Sequence, residues 1–161
     1  MGEKYNMTDE ELKTWRYSIY KAITDYKNCR LPSILYMIII WIYEYIEAVC
    51  VNNTDNQAKL GRIKSKYPNS EAITKLFRLR GNIVHNCYKI EDEDIKLLFS
   101  KHKDLDFILT DLGFEIPICN VIYTTICTGH VSLDTESDYM DLLNDLSKSS
   151  NSRGYQTNFF N

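Results

Sequence analysis

The sequence predicts an all-α fold, a helical bundle with a C-terminal extension. Three observations carry this. Glycine (6) and proline (3) are scarce in 161 residues, and few breakers favour helices over a turn-rich β fold. Apolar residues recur at helical spacing in several segments. Start and stop signals bracket those segments. A chain this short is expected to hold one core. Residues 1–112 are assigned to the bundle. Residues 113–161 form the extension, with a partly packed helix and a polar tail.

Met7-Thr-Asp-Glu-Glu11 opens the first helix, with Thr8 and Glu11 spaced as a capping box. Apolar positions Trp15, Ile19, Ala22, Ile23 and Tyr26 continue it over about 8–28. Leu31-Pro-Ser33 interrupts the chain, and Pro32 suits a first helical turn. Residues 34–43, ILYMIIIWIY, are apolar without a break. Ten such residues are too few for a membrane span, and Glu44 and Glu47 follow, so a buried helix to Val51 is expected. Residues 58–67 predict a short basic helix closed by Pro68-Asn69. Another helix starts at Ser70, with a stripe of Ala72, Ile73, Leu76, Phe77, Leu79, Ile83 and Val84. Two further helical pieces, or one kinked helix, cover 91–100 and 104–112, and Gly113 fits a stop. Residues 116–128 read equally as helix or strand. Residues 137–146 are an amphipathic helix candidate, and 148–158 are polar.

The formal charge is −3, but it is unevenly spread. Residues 59–103 carry eleven Lys/Arg against five Asp/Glu, whereas residues 104–161 carry two against nine. A basic middle fits either surface pairing or a polyanion-binding face. Five cysteines occur, with no C-x-x-C and no signal-peptide pattern. Reduced thiols of a cytoplasmic protein are therefore expected. The three histidines share no metal-ligand spacing with the cysteines, so no metal or other cofactor is expected.

FRLRGNIVHNCY, residues 77–88, is the most informative stretch. Arg80 lies within an apolar stripe, and His85 follows five residues later. On an ideal helix the two stand about 140° apart. They converge if the helix distorts near Gly81, or across a twofold dimer axis. Chemically the pair suits metal-free RNA cleavage. Histidine moves protons at neutral pH, and arginine neutralises phosphate oxygens in the transition state. Lys75, Arg78, Lys66, Lys64 and Arg62 supply a basic context for RNA.

The run from Arg80 to His85, on a helix of an all-α domain, resembles the HEPN superfamily. The resemblance covers roughly residues 8–112. It implies a metal-independent endoribonuclease with Arg80 and His85 catalytic. It also implies a homodimer that shares one RNA cleft. The run through Tyr88 and Glu91-Asp92 is most similar to toxins paired with a minimal nucleotidyltransferase antitoxin. An antitoxin or regulatory protein is thus an expected partner, and toxin or phage-defence action the expected role. Gly81 stands where the family often has a polar residue, so an assisting role is carried to Asn82. Tyr88 lies three residues after the histidine, where those toxins have a tyrosine two after; it too is assigned an assisting role. Two alternatives stay open. One is a non-catalytic HEPN-like module binding nucleotide, RNA or protein. The other is a helical interaction protein in which the motif is accidental.

Overall fold

The computed structural model describes residues 7–51, 59–86 and 90–128. Within them the chain forms seven α-helices and no strand: α1 Asp9–Cys29, α2 Pro32–Val51, α3 Lys59–Lys66, α4 Glu71–Asn86, α5 Asp92–Ser100, α6 His102–Asp111 and α7 Ile118–Thr128. The all-helical bundle expected from the sequence is therefore the fold.

The local signals act as physical chemistry requires. The Glu11 N–H donates to Thr8 Oγ1 at 3.1 Å, and the Thr8 N–H donates to Glu11 Oε1 at 2.8 Å. This reciprocal box satisfies two donors that a helix start leaves open. At the end of α6, Gly113 takes φ 110°. Its N–H reaches the Thr110 carbonyl and the Phe114 N–H reaches Leu109, a Schellman stop. The segment left open between helix and strand is α7. Pro117 precedes it, and Asp106 of α6 accepts from the Cys119 and Asn120 N–H groups, both at 2.9 Å. A carboxylate on exposed helical N–H groups stabilises a helix start. The competing β-branched propensity loses to this tertiary cap.

The core runs along α2, which lies against α1, α3 and α4. Ile38, Ile39, Ile42, Tyr43, Tyr45 and Ile46 are essentially fully buried. Each such side chain contributes about 1.5–3 kcal/mol of burial. By length and composition Pro32–Cys50 would suffice to cross a membrane. In this fold it is instead the central helix of the bundle. On the other side, α7 packs against α1, α5 and α6, and Ile118, Cys119 and Ile122 join the same core. Buried polar links stitch the layers. Arg16 Nη1 donates to the Tyr45 hydroxyl at 2.9 Å, which donates to the Leu112 carbonyl at 2.6 Å. The helix candidate at 137–146 and the polar stretch at 148–158 lie outside the described residues.

Candidate nucleic-acid interface on α4

The start of α4 is fixed to α6. Asp104 Oδ2 accepts from Ser70 Oγ at 3.0 Å and from the Ala72 N–H at 3.3 Å. From there the helix runs unbroken through Gly81 to Asn86. The glycine, a poor helix former, does not distort it. A Cβ added at Gly81 would meet nothing within 4 Å, so its own fold does not demand a glycine there. Of the two ways to bring Arg80 and His85 together, distortion of the helix is thus absent. Within one protomer they stay about 140° apart on helical geometry.

Arg80 is engaged by α2. One Nη lies 2.5 Å from Glu44 Oε2, and its side chain is 29% exposed. The guanidinium sits 5.5 Å from the Tyr43 ring centroid, a favourable cation–π placement. Tyr43 in turn packs edge-on against Phe77. The Arg80 Nε and the Tyr43 hydroxyl are buried with no hydrogen bond of good geometry among the described residues. Burial pushes the Tyr43 phenol up, and the nearby Glu47 carboxylate adds to this. The corner therefore holds a neutral tyrosine beneath a charge-paired arginine.

The opposite side of α4 differs. Lys75, Arg78, Asn82 and His85 are all exposed. Positions 78, 82 and 85 recur one and two turns apart, and the four residues span an arc of about 80°. Among the described residues, Lys75 and Arg78 make no ion pair. Guanidinium and amide donors beside an imidazole can hold a phosphate oxygen and exchange a proton with a neighbouring hydroxyl. Between this face and Arg80 runs a strip with Phe77 36% and Val84 50% exposed. The sequence stripe placed both with the core, but Leu76, Leu79 and Ile83 fill it instead. Arg62, Lys64 and Lys66 are exposed on α3. Lys64 meets Lys75 and Arg78 in one groove, while Lys66 lines the next with Pro68 and Asn69. Tyr88 lies outside the described residues.

Sequence reasoning missed Tyr43 and Glu44 as the partners of Arg80. Their signal was legible: an acidic residue in a strongly apolar helix needs a partner, and Arg80 was the matching charge in another apolar stripe. No group of three His, Cys, Asp or Glu that could hold a metal ion occurs among the described residues. Fold and site together define a helical bundle with an exposed basic helix face bearing a histidine. Neither a protein-family model, nor a curated protein, nor a solved structure matches the chain.

Proposed function

We propose that this protein is a metal-independent endoribonuclease of HEPN type, acting as a toxin or phage-defence effector. The observation that supports it best is the exposed cluster of His85 with Arg78, Asn82 and Lys75 on one side of α4. In this reading a ribose 2′-oxygen attacks the adjacent phosphorus. The new O2′–P bond forms as the P–O5′ bond breaks. One His85 takes the 2′ proton, and a second histidine, from another copy, protonates the departing 5′ oxygen. The products are a 2′,3′-cyclic phosphate and a 5′-hydroxyl. The reaction is specific to RNA because DNA lacks the 2′-hydroxyl.

A homodimer belongs to the same proposal. The exposed Phe77 and Val84, with open space over Gly81, lie between Arg80 and His85. Two copies meeting through this strip would bury both apolar side chains and bring Arg80 of one copy toward His85 of the other. The glycine would allow close backbone approach. An antitoxin or regulatory protein is the proposed second partner, in a cytoplasmic setting.

The test is induced expression in bacteria, wild type beside His85→Ala, with total RNA examined from both. Growth arrest with broken RNA, lost in the variant and unaffected by EDTA on the purified protein, is expected. Equal RNA breakage by both proteins would end the proposal. A second reading has one specific observation in its favour: Arg80 is already paired with Glu44. A structural arginine suits a module that binds RNA without cutting it. Purified protein that binds RNA and leaves it intact would select that reading.

A further inference from the structure

Three open grooves meet end to end beside α4. The first, about 270 Å³, runs past Lys66, Asn69, Ser70 and Phe107. The second, about 380 Å³, shares Asn69 and Ser70 with it and continues to Lys64, Lys75 and Arg78. The third, about 210 Å³, shares Lys75 and Arg78 and reaches Asn82, with Leu97 on its far wall. His85 lies on the same side of α4 as Asn82, a turn further on. The grooves thus form one track from α6 toward the histidine.

The two ends of the track carry the least buried apolar side chains along it. Phe107 of α6 is 70% exposed, and Leu97 of α5 is 46% exposed. Leaving a phenylalanine in water forgoes its burial energy, and little among the described residues covers this ring. Its surroundings are mixed rather than purely apolar: Lys66, Asn69, Ser70 and Asp104 line the same groove as Tyr67, Pro68 and Ile108. Between the ends, Lys64, Lys66, Lys75 and Arg78 make no ion pair among the described residues. Three carboxylates border the track. Asp104 is occupied by Ser70 and the Ala72 N–H, while Glu71 and Asp94 are exposed at its rims. Unpaired cations between apolar platforms match a single strand, whose phosphates need charge and whose unstacked bases need a flat apolar surface. A duplex hides its bases and would use the lysines alone.

We infer that this track binds single-stranded RNA of about four nucleotides, with a base stacked on Phe107 setting the strand's position relative to His85. The inference rests on the RNA reading above but not on cleavage. Phe107 is here a positioning residue. It is remote from the reacting atoms and fixes which phosphate reaches the histidine.

The experiment uses full-length protein carrying His85→Ala, so that any cleavage is removed. Fluorescence anisotropy is read with a fluorescein-labelled twelve-nucleotide RNA, as single strand and as duplex. Phe107→Ala, whose ring is mostly in water and not needed by the core, should weaken single-strand binding about 5- to 100-fold. It should leave duplex binding and the salt dependence of single-strand binding unchanged. Lys75→Gln with Arg78→Gln should weaken both ligands and lower the salt slope by roughly 1.5, as expected for two lost contacts to single-stranded phosphates. If Phe107→Ala binds the single strand as well as its parent does, the inference is overturned while the RNA reading survives. If the parent binds neither RNA, the inference and the RNA reading fall together.

Discussion

Two arginines two residues apart on α4 have been given opposite tasks. Arg80 faces α2, donates to Glu44 and lies over the Tyr43 ring. Arg78 faces solvent, with no ion pair among the described residues. Two positions on a helix are about 160° apart, so adjacent cations with the same side chain enter different media. In the half-buried corner, desolvation makes an unpaired charge costly, and the pair exists to remove that cost. At the exposed face the charge is cheap to keep unpaired and remains available to a polyanion. Sequence proximity within a basic run therefore says little about which cation is held by the fold and which stays unpaired at the surface.

The sharpest way to break that contrast is to truncate each arginine. Arg80→Ala leaves Glu44 without its partner and removes the guanidinium from the Tyr43 ring. A loss of about 2–4 kcal/mol in urea unfolding is expected, below the full buried-pair range because both side chains keep some water. Arg78→Ala should stay within about 0.5 kcal/mol of wild type. RNA affinity should reverse the ranking for Arg78, with weaker binding and a salt slope lower by roughly 0.7. An Arg80→Ala protein as stable as wild type would show that the Glu44 pair is worth no more than a surface contact. Arg80 would then be as free for RNA as Arg78.

Alkaline pH separates the two regions without mutation. Burial pushes up the phenol of Tyr43 beneath Arg80, and that of Tyr20 elsewhere in the core, in the folded protein, whereas an unfolded tyrosine ionises at about 10. Above that pH the unfolded chain sheds these protons and the folded chain keeps them. Unfolding thus releases protons, and stability falls as pH rises. Each such tyrosine should cost about 1.4 kcal/mol per pH unit above the unfolded value until its own folded phenol titrates. Urea midpoints between pH 9 and 11.5, with phenolate absorbance as the second signal, check this. A flat stability profile would mean that neither phenol is held above its unfolded value, so that the corner around Tyr43 is wet and its pairing correspondingly weak.

The helices were legible because their signals are local. Thr8 with Glu11, Pro32 and Gly113 each fix one end by chemistry within four residues. The α7 segment was not, because the carboxylate that caps it comes from Asp106 on another helix. The site was half legible for the same reason. Arg78, His85 and the α3 lysines could be named from composition and spacing, and Asn82 from the family resemblance alone. The partnership of Arg80 with Glu44 spans 36 residues, and the place of Phe107 beside the basic groove depends on how α6 packs. Phe77 and Val84 satisfy the helical period yet stay outside the core. The period sets an angle but not which neighbouring helix arrives to cover it.

The smallest expected effect concerns a third arginine, Arg30, which makes no ion pair among the described residues. Arg30 follows α1 with φ 59° and ψ 27°, and its N–H closes the helix on the Tyr26 carbonyl. A left-handed residue there normally favours glycine, which carries no Cβ to crowd the following carbonyl. Arg30 also makes a hydrogen bond from Nε to the Lys27 carbonyl at 3.3 Å, long enough to be a weak compensation. Arg30→Gly should therefore gain about 0.5 kcal/mol, a rise of roughly 1–2 °C in Tm for a chain of this size. Arg30→Ala keeps the backbone strain and loses the hydrogen bond, so its Tm should fall. The opposite signs are the diagnostic, because side-chain charge is removed equally in both. If both variants lose stability, the contact to Lys27 outweighs the backbone term. Arg30 would then join Arg80 as an arginine held by its partners, leaving Arg78 as the exception.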